Sequence, residues 1–313
     1  IIDTWNEGKV VDTEGYYENA KINRVYVDRV HVKKAFAEYT AAYNADDPKI
    51  KLKIDHTYRV AALCERIAKA AGMCAYDVEL AWLSGMLHDV GRFEQIKRYN
   101  TFSDADSVDH AKFGADLLFK DGLISTFLNG MVKCTGYKLG ALEDRYSSDG
   151  VFLYDRLNKS DMEMLELAIR CHNMYRIPQG LNHREQAFCN VLRDADKVDI
   201  FKVNIDTPLE EIYNTTTEEL MKSNITDEVL EAFDEEHCIL KAIRRTPADT
   251  VIGHVSLAYE LVYDESVRIT VEQGYLGKLM HFHSDNEETN RKMAMVREKM
   301  DSYVKKRIGE KDA

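Results

Sequence analysis

Gly85-Met86-Leu87-His88-Asp89-Val90-Gly91-Arg92 closes an apolar run, Val78-Glu79-Leu80-Ala81-Trp82-Leu83, and its reading decides the fold. Leu80, Leu83 and Leu87 recur at helical spacing, so the segment is expected to form a helix that turns a stripe inward. At the end of that stripe an imidazole and a carboxylate stand on neighbouring residues, His88 and Asp89. An ionised aspartate is rarely buried without a partner, and a cation beside it removes the cost. Imidazole and carboxylate together are a ready pair of metal ligands. On this dipeptide alone, an aspartate ending a helix beside an incidental histidine is an equally good reading. The rest of the chain has to supply the missing ligands.

Upstream, a helix is expected from about Lys53 to Ala71, ended by Gly72, with His56, Val60, Leu63 and Ile67 on its inner face. A lone histidine on such a face is more often a satisfied core residue than a ligand. Before it, Asp28 to Tyr43 reads as a helix with Val32, Phe36 and Tyr39 inward, broken by Asp46-Asp47-Pro48. Residues 1–27 read as an N-terminal arm. Downstream, Asn100 to Asp109 is a polar loop in which Asp104, Asp106 and Asp109 read as caps or solvated residues. The next helix carries His110, Phe113, Gly114, Leu117 and Leu118 on one stripe. Gly130 to Asp161 is irregular and reads as a long connection. A helix from Asp161 to Asn173 then presents Leu165, Ile169 and His172 on one face. In the run from Arg184, Asp196 lies one turn after Leu192 and points inward, whereas Asp194 and Asp199 fall on other sides and are expected to be solvated. Further helices follow to the end. The last, about Glu287 to Ile308, shows a seam of Met293, Val296, Met300 and Tyr303. Packing on its own domain is preferred for that short seam, with a homodimer contact as the alternative.

Composition narrows the class. The chain has 313 residues, 45% hydrophobic and 31% charged, with only 4 Pro and 16 Gly, which favours long helices over a many-turned β architecture. Its net charge of -12 repels phosphodiester backbones, so long nucleic acid is excluded as a partner. Small phosphorylated ligands stay open, because a metal can set the local field. Six cysteines without a C-x-x-C pair read as reduced thiols of a cytoplasmic protein. The first residues lack the basic start and apolar core of a signal peptide, and no apolar run is long enough to span a bilayer. The missing initiator Met points to a processed or trimmed chain.

Four inward histidines (His56, His88, His110, His172) and two inward aspartates (Asp89, Asp196) thus sit on five separate helices. Each singly favours the core reading, but six costly polar groups on apolar faces require partners. Two divalent metals sharing a bridging Asp89 would satisfy all six, with His56, His88 and Asp196 on one ion and His110 and His172 on the other.

The order of these residues resembles the HD-domain superfamily of metal-dependent phosphohydrolases. The resemblance covers about residues 50–205. It rests on Ile54-Asp55-His56, Leu87-His88-Asp89-Val90-Gly91-Arg92, Asp109-His110-Ala111-Lys112-Phe113-Gly114, Ala168-Ile169-Arg170-Cys171-His172 and Arg193-Asp194-Ala195-Asp196-Lys197. It implies an all-α, HD-domain-like helical bundle over residues 28–205, with residues 206–313 as a C-terminal helical extension packed on that core. It implies two divalent ions (Mn, Fe, Ni or Mg) and a small phosphorylated substrate, with a nucleotide expected. The nucleophile would be hydroxide from a metal-bridging water. Asp89 is the expected bridge. Arg92, one turn on, offers a fork of donors suited to a phosphate oxygen, with a surface ion pair as its bland reading. Lys197 is a second candidate for substrate contact. Departures narrow the branch. Asn173 stands where cyclic-dinucleotide phosphodiesterases commonly carry a second His, and no Gly-Tyr-Pro follows. The Glu-Asp pair of alarmone hydrolases is not reproduced after His88-Asp89. The same ligand set also serves a few di-iron oxygenases, and a non-catalytic metal-bound sensor module is the third reading.

Overall fold

The computed structural model describes residues 24–25, 27–44, 46–128, 152–153, 157, 159–213 and 215–309. Most of the expected N-terminal arm and of the expected connection from Gly130 to Asp161 lies outside them. The described chain is all-helical apart from one two-residue parallel pairing, β1 (Arg24–Val25) with β2 (Phe152–Leu153). Two compact units meet in sequence between Arg193 and Asp194. Among the described residues no helix is long and apolar enough to cross a membrane.

In the first unit, α1 (Arg29–Thr40) starts where the Asp28 side chain accepts from the His31 backbone N–H. The α2 helix (Pro48–Ala70) starts five residues before the sequence reading placed it. Asp47, expected only as part of a break, accepts from the Lys49 N–H and caps the new helix, and Pro48 fits its first turn because no intrahelical N–H is needed there. His56, Val60, Leu63 and Ile67 line its buried face as expected. The α3 helix (Ala75–Leu87) is buried from Leu80 to Leu87. A Cβ on Gly85 would stand 2.6 Å from the Ala61 Cα, so α2 and α3 approach backbone to backbone. That close approach brings the His56 and His88 faces together.

Asp89 interrupts the helix at φ -107 and ψ 14, and α4 (Val90–Tyr99) follows, ending at left-handed Asn100. The α5 helix (His110–Ala115) begins at a histidine because Asp109 caps it through the Lys112 N–H, and a π turn over Asp116–Lys120 extends it. Here too the approach is tight: a Cβ on Gly91 would lie 2.5 Å from the His110 carbonyl oxygen and 2.7 Å from the Gly114 nitrogen. The short α6 (Ile124–Phe127) and then α7 (Lys159–Cys171) follow, the latter burying Leu165 and Ile169 and stopping just before His172. The α8 helix (His183–Asp206) starts in this unit and runs into the next.

The second unit holds the rest of α8 and α9 (Leu209–Tyr213), α10 (Thr217–Lys222), α11 (Asp227–Phe233), α12 (Pro247–Val255), α13 (Asp264–Gln273), α14 (Tyr275–Met280) and α15 (Glu287–Ile308). Met293, Val296 and Met300 are buried as expected, and α15 packs on α11, α13 and α14 of its own unit. Val304, not Tyr303, completes the seam. One expectation is overturned. Asp194 and Asp199 are not solvated: both are buried, as is every residue from Val191 to Asp199 except half-buried Asp196. In this stretch only Asp196, expected to point inward, keeps some exposure, so helical periodicity does not pick out the solvent side. The Asp194 carboxylate is occupied instead as an acceptor for the Val262 and Tyr263 N–H groups and the Ser266 hydroxyl.

Candidate metal centre

The first unit brings together five of the six expected ligands, four imidazoles around Asp89. One carboxylate oxygen, Oδ2, lies 3.6 Å from His56 Nε2 and 3.5 Å from His88 Nε2. The other, Oδ1, lies 3.6 Å from His110 Nε2 and 3.8 Å from His172 Nε2. Asp89 therefore faces one imidazole pair with each oxygen. Within the pairs, Nε2 meets Nε2 at 3.3 Å for His56 and His88 and at 3.0 Å for His110 and His172. The donor atoms of His88, Asp89 and His172 lie within 4.8 Å of one another.

The other ring nitrogens say what these atoms can do. His88 Nδ1 is 2.8 Å from the Gly85 carbonyl oxygen and His172 Nδ1 is 2.7 Å from that of Ile169. A carbonyl can only accept, so both Nδ1 atoms carry hydrogen and donate. His110 Nδ1 donates likewise to Asp104 Oδ2 at 2.7 Å. In neutral rings this leaves a lone pair on each of those Nε2 atoms, the arrangement that metal-ligating histidines show. Burial pulls the His110 imidazole down to about 4, so that ring is neutral at neutral pH. The Nε2 lone pair of neutral His110 then faces His172 Nε2 at 3.0 Å. The spacing suits a shared cation: nitrogens sharing an ion at about 2.0–2.1 Å stand roughly 3.0–3.4 Å apart. The donor set therefore fits divalent transition-series ions.

Positive side chains complete the surroundings. Lys53 Nζ donates to Asp89 Oδ2 at 2.7 Å, a contact not foreseen from the sequence. Burial acts to raise the Asp89 carboxyl, but the charge of Lys53, followed by His88, His110 and Arg92, holds it well below the usual range. Arg92 does form an ion pair, with Asp104, and it is partly buried. Its Nη1 donates to Gln95 Oε1 at 2.7 Å, to the Phe102 carbonyl at 2.7 Å and to Asp104 Oδ1 at 2.9 Å. Its Nε lies 3.7 Å from Asp89 Oδ1 and is buried without a hydrogen-bond partner.

Asp104 is the residue sequence reading missed most plainly. Expected as a cap or solvated acid, it joins Arg92, Gln95 and His110. Asn173 also donates to it and to Asp109. Burial raises its carboxyl, yet the His110 bond leads the contacts that hold it below the usual carboxylate range. The one available signal was its place in the loop just before His110.

Asp196 lies on α8, three residues beyond Arg193. Arg193 donates from Nη1 to the backbone carbonyls of Cys171, His172 and Met174, which ties this helix to the His172 turn. Asp196 falls one turn farther on, near the same side of α8. Lys197 is buried on the same helix, and its charge pulls on Asp194 within the second unit.

The family model described as HD domain matches residues 54–201. No curated protein and no solved structure matches the chain.

Proposed function

Residues 54–201 of this chain are an HD domain, and from that premise we propose that the protein is a phosphohydrolase that holds two divalent ions and cleaves a phosphate ester, with a nucleotide as the expected substrate. HD domains are generally metal-dependent hydrolases. One observation carries the reading: each oxygen of a single buried carboxylate faces a separate pair of imidazole Nε2 atoms. A one-ion centre has no use for the second pair.

In this assignment His56, His88 and Asp89 Oδ2 would hold one ion, with Asp196 the further ligand expected from the sequence. His110, His172 and Asp89 Oδ1 would hold the other. When bound, such ions acidify a water and polarise phosphoryl oxygens. The chain's own residues do the rest. Asp89 offsets the repulsion between the cations and fixes their separation. Gly85 and Ile169 carbonyls lock the tautomer and direction of His88 and His172, and Asp104 does so for His110. Arg92 brings a pinned positive charge beside Asp89, and its Nε, buried without a hydrogen-bond partner, is the donor it would offer to a phosphoryl oxygen. The burial of all four imidazoles keeps bulk water from the ligand atoms.

The test is a phosphate-release screen with metal-stripped protein. Mononucleotides, dinucleotides and sugar phosphates are offered with Mn²⁺, Fe²⁺, Ni²⁺ or Mg²⁺. Release that depends on added metal, with two ions bound per chain, is the expected result. Two bound ions with no phosphate released from any ester, or oxygen consumption in its place, would overturn the reading.

A further inference from the structure

We infer that Lys53 is the residue that takes hold of the substrate's phosphate, and that it selects a terminal, doubly charged phosphate over a diester; the inference rests on the phosphohydrolase reading above. It starts from exposure. The side chains of the four imidazoles that touch Asp89 are 5% exposed or less, while those of the two cations that touch it, Lys53 and Arg92, are 17% and 14% exposed. Among the described side chains that touch Asp89 itself, the two most open to solvent are therefore the positive ones; the carboxylate Asp104, 29% exposed, touches His110 and Arg92 instead. Both cations lie against one aromatic plate: Lys53 Nζ is 5.4 Å and the Arg92 guanidinium 5.7 Å from the centre of the Phe102 ring.

The two cations differ in freedom. Arg92 is pinned through Nη1 by three acceptors. Lys53 is held to the centre by one hydrogen bond, on the oxygen that also faces His56 and His88. A metal ion between those imidazoles needs that oxygen and repels an ammonium on it. Lys53 has a flexible four-carbon stem and can turn its amino group outward while its root stays one helical turn before His56 on α2. Loading the ions thus leaves a positive group facing solvent and no longer matched to Asp89. A phosphomonoester carries close to two negative charges at neutral pH and a diester one, so the displaced ammonium favours the monoester.

The test uses the whole chain, loaded with Mn²⁺, and three readouts. These are metal content, calorimetric binding of inorganic phosphate, and kinetics with para-nitrophenyl phosphate against bis(para-nitrophenyl) phosphate. Lys53→Gln should keep wild-type metal content, bind inorganic phosphate about tenfold or more weakly, and raise KM for the monoester by a similar factor with little change in kcat. The loss on the diester should be clearly smaller, in keeping with its single charge. Lys53→Arg should restore most of the phosphate affinity, and it serves as the probe if the Gln variant is unstable without metal. Unchanged phosphate affinity in a fully loaded Lys53→Gln protein overturns the assignment, and equal losses on both esters overturn the preference for a doubly charged group. The two readings separate cleanly. Lys53-dependent phosphate binding without hydrolysis of any ester sinks the phosphohydrolase and spares the phosphate contact, whereas hydrolysis indifferent to Lys53 does the reverse.

Discussion

Asp89 in the first unit and Asp249 in the second are both buried aspartates, 2% and 0% exposed, and their surroundings could hardly differ more. Asp249 is saturated by the chain itself. It accepts from the backbone N–H groups of Thr226, Arg245 and Thr246 at 2.8–3.1 Å and from the Thr226 hydroxyl. Its work is local: it completes the capping box that starts α12. Asp89 has one short bond, from Lys53, and four imidazole nitrogens standing off at 3.5–3.8 Å. Those distances are longer than ordinary hydrogen bonds. Burial alone does not mark a ligand. What marks it is a carboxylate whose neighbours offer electron pairs, where a structural carboxylate meets N–H groups.

Three substitutions probe that contrast, beginning with the largest effect. Asp89→Asn keeps the shape and removes the charge. It should fold with an unchanged helical circular dichroism spectrum, lose one or both ions by metal analysis, and slow hydrolysis at least about a hundredfold. Near-normal activity with both ions retained would end the bridging assignment. Asp249→Ala should do the opposite. With several buried donors left unmet, it should lower stability by about 2–4 kcal/mol in denaturant unfolding, while metal content stays at the wild-type value. Loss of metal in that variant would erase the distinction drawn here. Asp104→Asn should have the smallest effect, lowering metal affinity about tenfold to a hundredfold by loosening His110. Calorimetric metal titration would show it as weakening confined to one of two binding steps.

The candidate ligands were legible in the sequence because an apolar period on a helix points toward each: His56 follows the stripe of α2, and His172 falls just past the end of α7, in line with its stripe. The same logic failed on α8, where Asp194 and Asp199 are buried and Asp196, between them, is the more open. Lys53 and Asp104 escaped for a different reason. Lys53 reaches Asp89 across 36 residues, and Asp104 reaches His110 from a polar loop with no period to read. The start of α2 was misplaced because Asp47-Pro48 both ends one segment and opens the next. Periodicity reveals which way a helix faces and says nothing of which polar partner a long side chain or a loop will find.

The contact of Gly91 with the His110 carbonyl has a consequence for substitution. It joins the segment carrying Asp89 to the one carrying His110 by backbone against backbone, with no side chain between them to give way. Any side chain at position 91 would have to push those two segments apart, and with them the Asp89 carboxylate and the His110 imidazole that stand 3.6 Å from each other.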